Sequence, residues 1–219
     1  MKIKITKILF PEIKISQRDS HKLRGYFGNF FKEESPLLHN HFENGESKYC
    51  YPLVQYKVIK KNPILIGINE GSILLNELFL RIKELVIENN IYKITDKQIE
   101  TWENKLDISN EMIKYKFHTL WLALNQNNYK IYYSYVDDED KEYLLKKIII
   151  GNILSMYKYL GFRANKEIKI NLKVKEKITK FKEQEMLGFS GYFSTNAIIP
   201  SYLGIGKSVS RGFGTVIEA

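Results

Sequence analysis

The sequence holds one cysteine, Cys50, and five prolines among its 219 residues. A lone cysteine excludes a disulfide scaffold and a cysteine-built zinc site. No stretch approaches the roughly 18 consecutive apolar residues that a membrane-spanning helix needs. The opening residues, Met1 to Lys14, are charged throughout and lack the small-residue cleavage site of a signal peptide. Low-complexity tracts and short-period repeats are absent, and histidine is scarce, with four in all. These absences leave a globular chain, expected in the cytoplasm and away from membranes.

Hydrophobic residues make up 44%, aromatics 13% and charged residues 27%, enough to bury a core. The length suits one large domain or two small ones. Formal net charge is +9, unevenly spread. Residues 1–60 hold 11 basic and 6 acidic side chains, residues 61–160 hold 13 and 14, and residues 161–219 hold 10 and 5. An excess at both ends suits a polyanion held between two halves, although a generally lysine-rich composition would look the same.

Residues Lys2 to Phe10 predict a strand that Pro11 ends. Leu23, Tyr26, Phe27, Phe30 and Phe31 recur at helical spacing. Tyr51 to Ile59 and Ile64 to Ile68, joined by Lys60-Lys61-Asn62-Pro63, predict a hairpin. A helix capped by Ser72 follows, with Leu74, Leu75, Leu78, Phe79, Ile82, Leu85 and Val86 on one stripe. Ile91 to Ile99 is a weaker strand. The order β-α-β-β-α-β is that of a ferredoxin-like domain. The second half repeats the plan loosely. Tyr115 to Leu124 is a candidate strand, and a helix runs from Asp137 to about Leu160. Its opening acids, Asp137-Asp138-Glu139-Asp140, complement the helix dipole better than they suggest a metal site. Glu167 to Lys175 alternates, with Lys169, Lys173 and Lys175 outward. Phe189 to Ala197 and Phe213 to Glu218 are further strands. The aperiodic stretch 104–112 marks the boundary. The expected class is α+β, two tandem ferredoxin-like (RRM-like) domains over residues 1–107 and 108–219, with a C-terminal glycine-rich loop.

That loop carries the most information. Six of the 13 glycines lie between 188 and 214. A P-loop ending in Gly206-Lys207-Ser208 would need glycine at 201, where Ser201 stands, and a helix after it. The dinucleotide fingerprint would need glycine at 209, where Val209 stands. What remains is Gly204-Ile205-Gly206, five residues, then Gly212-Phe213-Gly214. Lys207, Ser208, Ser210 and Arg211 lie between the glycine pairs. Bare amides beside a lysine and an arginine suit a phosphate; a flexible hairpin loop is the plain alternative.

The second constellation is Leu37-Leu38-His39-Asn40-His41, followed closely by Lys48 and Tyr49. Histidine exchanges protons near neutral pH. A metal would need ligands beyond this pair, and only Glu43 is near. His21 and His118 stand alone and are expected to be structural.

Together these segments resemble the CRISPR-associated repeat-RNA endoribonucleases of the Cas-six superfamily. The glycine pattern matches the superfamily signature. Leu37 to His41, Tyr51-Pro52-Leu53-Val54-Gln55-Tyr56-Lys57 and Gly67-Ile68-Asn69-Glu70-Gly71 are similar to the amino-terminal domain of its b-type branch. The resemblance spans essentially the whole chain. It implies tandem ferredoxin-like domains and cleavage of CRISPR repeat RNA without metal or cofactor. The products implied are a 2′,3′-cyclic phosphate and a 5′-hydroxyl. It implies catalysis by His41 and His39, with Tyr49 and Lys48 as helpers. RNA backbone would be held by Gly204, Gly206, Lys207, Ser208, Ser210, Arg211, Gly212 and Gly214, and by Lys169, Lys173 and Lys175. The implied partner is repeat RNA. Membership of a CRISPR effector complex stays open, as does the choice between monomer and homodimer. The competing reading is a non-catalytic RNA-binding subunit of such a complex.

Overall fold

The computed structural model describes residues 1–30, 50–181 and 184–219. These form two compact units. The first comprises Lys2–Asn104 and Val209–Gly212; the second comprises Met1, Lys105–Ser208 and Phe213–Ala219.

In the first unit, β1 (Lys2–Leu9), β2 (Val54–Ile59), β3 (Asn62–Ile68) and β6 (Gln98–Lys105) make one sheet in the order β2-β3-β1-β6. Helix α1 (Ser20–Phe30) links β1 to β2, and α2 (Glu70–Leu78) follows β3. This is the ferredoxin-like plan. The β2–β3 turn is tight, with Ile59 opposite Asn62 and both Lys60 and Lys61 at positive φ. Leu23 and Phe27, four apart on α1, are buried, and Phe27 stacks on Tyr56 at 5.8 Å between ring centroids. Ile8, Val54, Tyr56, Val58 and Leu65 meet Leu74, Leu75 and Leu78 of α2 in the core.

Three expectations fail here. Ser72 does not cap α2; it lies inside the helix, its hydroxyl 2.7 Å from that of Thr6. The helix stops at Leu78, followed by a 3-10 turn over Phe79–Arg81, and Lys97 Nζ donates to Ile82 O at 2.7 Å just beyond that turn. Leu85 and Ile87 belong to a strand, β4 (Glu84–Ile87), which pairs with β5 (Asn90–Lys93). The weak strand at 91–99 is thereby split between β5 and β6.

In the second unit, β7 (Ile108–Phe117), β8 (Ile170–Phe181), β9 (Gln184–Ala197) and β10 (Val216–Glu218) are ordered β10-β7-β9-β8, the same arrangement. The tandem ferredoxin-like fold is therefore present, with one change: between β9 and β10 the second helix is replaced by the glycine-rich segment. Helices α3 (Gln126–Ser134) and α4 (Asp138–Tyr159) connect β7 to β8. Leu145, Ile149, Ile153, Met156 and Tyr157 form the buried stripe of α4, and Asp138, Glu139 and Asp140 occupy its first turn. Gly161, at φ +83, ends it.

The strand expected over 115–124 ends at Phe117. Beyond it, buried Trp121 stacks on Phe117 at 5.3 Å and exchanges two backbone hydrogen bonds with Phe189. Helix α3 was invisible in the sequence because only Tyr132 on it is buried, so no apolar stripe exists. β7 begins inside the aperiodic stretch, and its register shifts between Ile108 and Ile113, which breaks the strand's alternation there. No helix among the described residues is long and apolar enough to cross a membrane.

Candidate functional site

The glycine-rich segment folds as two arms with an insert. Ile205 N–H donates to Gly214 O, Val216 N–H to Leu203 O, and Gly204 pairs with Thr215. The arms are fastened to the 118–124 stretch of their own unit. Gly214 N–H donates to Leu120 O at 2.8 Å and Lys207 N–H to Leu122 O at 3.1 Å. Leu203 and Ile205 are buried anchors. Glycine is required for this closeness. A Cβ on Gly214, at φ +63, would lie 1.9 Å from Ile205 O. One on Gly206, at φ +95, would meet the Trp121 ring at 2.7 Å. The first reason for these glycines is thus internal packing.

Within the five-residue insert, Lys207 is exposed, and its Nζ lies 3.4 Å from Leu124 O. Ser208 adopts φ +55. A 3-10 turn, Val209–Arg211, then packs on β2 and α1 of the first unit. Val209 is buried there, and a Cβ on Gly212 would meet Tyr56 O at 2.9 Å and Ser20 Oγ at 3.0 Å. Ser210 and Arg211 are half-buried.

The turn brings Arg211 close to Arg24 of α1. The Arg24 guanidinium is lowered from its ordinary pKa by burial first, then by the charge of Arg211. Two guanidiniums that feel each other's charge could take an anion between them. Beside them the Tyr56 phenol is strongly raised by burial, a rise that the charge of Arg24 offsets in part. Sequence reasoning missed Arg24: nothing in spacing marks it, since its importance depends on a contact more than 180 positions away. On the opposite face of β2, Lys57 is fully buried, and burial pushes its ammonium down to about 7.

Lys169, Lys173 and Lys175 are exposed, the last two on edge strand β8 and Lys169 just before it. His39, His41, Lys48 and Tyr49 lie outside the described residues. His21 Nδ1 sits 2.7 Å from Arg18 O at the start of α1. Among the described residues no three His, Cys, Asp or Glu side chains converge as a metal cradle.

The fold and this segment define a tandem ferredoxin-like protein with a glycine-hinged, cation-bearing C-terminal loop. Residues 1–105 match the family model of the Cas6b N-terminal domain, and residues 107–219 match that of the Cas6b C-terminal domain. The chain belongs to the Cas6b family. A crystal structure of Cas6b is 41% identical over the whole of both chains, with a TM-score of 0.92. The crystal structure of a CRISPR RNA processing endoribonuclease Cas6b is 36% identical, again over both whole chains, with a TM-score of 0.82. An uncharacterised protein of Methanocaldococcus jannaschii is 40% identical over 145 residues, 66% of this chain and 98% of that protein.

Proposed function

We propose that this protein is an endoribonuclease that cuts CRISPR precursor RNA within the repeat, without metal. The observation that carries the reading is the full-length match, at 36% identity and a TM-score of 0.82, to a CRISPR RNA processing endoribonuclease. His41 or His39 removes the proton of the 2′-hydroxyl upstream of the scissile phosphate. That oxygen attacks phosphorus, and the bond from phosphorus to the 5′-oxygen breaks. The other histidine, or Tyr49, returns a proton to the leaving oxygen, with Lys48 offsetting charge in the transition state. The products are a 2′,3′-cyclic phosphate and a 5′-hydroxyl. Arg211, brought beside Arg24, and Lys207 hold backbone phosphates; Ser208 and Ser210 supply hydroxyl donors.

Incubation of labelled repeat RNA with the protein in excess EDTA tests this reading. Cleavage at an undiminished rate is expected, and a 2′-deoxy substitution just upstream of the cut should stop it while leaving binding intact. Alanine at the base, His39 or His41, should slow single-turnover cleavage roughly 10²–10⁴-fold. Cleavage through the deoxy position would refute the mechanism. Binding without cleavage of any repeat RNA would favour a non-catalytic RNA-binding subunit.

A further inference from the structure

The outward face of the second unit's sheet presents one aromatic ring among lysines. Strand pairing puts Ile217, Lys116, Tyr192 and Lys173 in a single row across β10, β7, β9 and β8. The next row holds Lys114, Ser194 and Asn171, and on the other side Ser190 pairs with Lys175. Phe193, Phe189, Leu172 and Tyr115 point the other way and are buried. Tyr192 is 39% exposed. Lys114 Nζ and Lys116 Nζ lie 5.0 and 5.5 Å from its ring centroid.

These three rows carry four lysines and no carboxylate side chain. Neighbouring strands are about 4.8 Å apart, so Lys116 and Lys173 stand about 10 Å apart, one on each side of the ring. Clustered like charges on one sheet face destabilise it. A polyanion relieves that repulsion, and an aromatic ring at its centre accepts a base by stacking. A duplex hides its base faces, so the strand must be unpaired.

We propose that this face binds a single-stranded stretch of RNA, with one base stacked on Tyr192 and the flanking phosphates held by Lys114, Lys116, Lys173 and Lys175. The choice of RNA as the polyanion rests on the function proposed above. Lysines now over the ring at an exposed site are weakly held there, and stacking of a base releases them to the phosphates.

The probe is a fluorescein-labelled uridine dodecamer, followed by anisotropy, because stacking tolerates any base. Tyr192→Ser should weaken binding roughly 5–100-fold, and Tyr192→Phe should restore it to within about twofold of the wild type. Lys116→Ala and Lys173→Ala should each reduce the slope of log affinity against log salt by about 0.7. A 5-iodouridine in the probe should photo-crosslink to Tyr192. Unchanged affinity in a folded Tyr192→Ser protein overturns the inference and leaves the face to an acidic protein partner. No binding of the dodecamer by the wild type overturns it equally. Cleavage of repeat RNA with no dependence on Tyr192 would sink this inference alone. Binding that depends on Tyr192, without any repeat cleavage, would sink the proposed function alone.

Discussion

Lys57 makes folding stability depend on pH in a direction opposite to that of the buried tyrosines. Its side chain is fully buried, and burial alone brings its ammonium from 10.5 to about 7. Well below pH 7 the folded protein must hold that charge in a buried site, and the full penalty applies. As pH rises from about 7 toward 10.5, the folded protein releases this proton before the unfolded chain does. The unfolded state then binds more protons, and stability rises with pH. The slope is at most 1.36 kcal/mol per pH unit, so between pH 7 and 9.5 the gain is about 3 kcal/mol. Buried tyrosines act the other way at higher pH. Tyr26 and Tyr115 are pushed up to about 12, mainly by burial, and Tyr56, Tyr132 and Tyr157 are raised as well. Their contribution is lost only as pH climbs above 10, beyond the 7–9.5 window. Lys57→Met keeps the length and apolar stem and removes the ammonium. Urea unfolding followed by tryptophan fluorescence at four pH values should give a rising free energy for the wild type. The variant's curve should be flatter by about 1 kcal/mol per pH unit. Parallel curves for the two proteins across this window would refute the reasoning.

Gly214→Ala should be costly, because its Cβ would lie 1.9 Å from Ile205 O at φ +63. A loss of about 3 kcal/mol, seen as a drop in Tm of roughly 6–12 °C, is expected. Gly25→Ala is the matched control: nothing lies within 4 Å of its Cβ in α1, so Tm should rise slightly, by about 0.5–1 kcal/mol of stability. An unchanged Tm for Gly214→Ala would contradict the packing described. Lys207→Ala and Arg211→Ala should weaken repeat-RNA binding and each reduce the slope of log affinity against log salt by roughly 0.7–0.9, measured by anisotropy between 50 and 300 mM salt. An unchanged slope in the double variant would remove the loop from the RNA path.

The parts of the fold legible in the sequence are those whose periodicity packing enforces. α4 shows its stripe because Leu145, Ile149, Ile153 and Met156 all face the core. β8 shows alternation because Leu172 is buried while Asn171 and Lys173 are not. Where a single contact decides, the pattern misleads. Leu85 fits the α2 stripe by spacing, yet the chain has already left the helix and buries Leu85 from β4. Tyr132 is the one buried residue of α3, too little to form a signal. The candidate site divides in the same way. Gly204 to Gly214 announces itself by composition, as do Lys169, Lys173 and Lys175. Arg24, Lys114, Lys116 and Tyr192 do not, because their neighbours come from other strands or from the far end of the chain.

The glycine signature is open to two physical accounts, and the geometry separates them. If the glycines served mainly to expose amides to phosphate, their missing Cβ atoms would point at open space. Those of Gly206 and Gly214 instead point at the Trp121 ring and at Ile205 O. Each Gly-hydrophobic-Gly unit therefore works as a hinge. In the first arm Ile205 is the buried anchor, and glycine lets the backbone close around it. The hinges allow the intervening residues to leave one unit and seat Val209 and Gly212 on the other. Arg211 is delivered beside Arg24 as a result. Loss of RNA affinity should then come in two distinguishable forms. Cation variants should lose it with Tm intact, whereas hinge variants should lose it only together with Tm. A Gly206→Val protein that melted like the wild type yet failed to bind RNA would reverse this assignment and return the glycines to the phosphate.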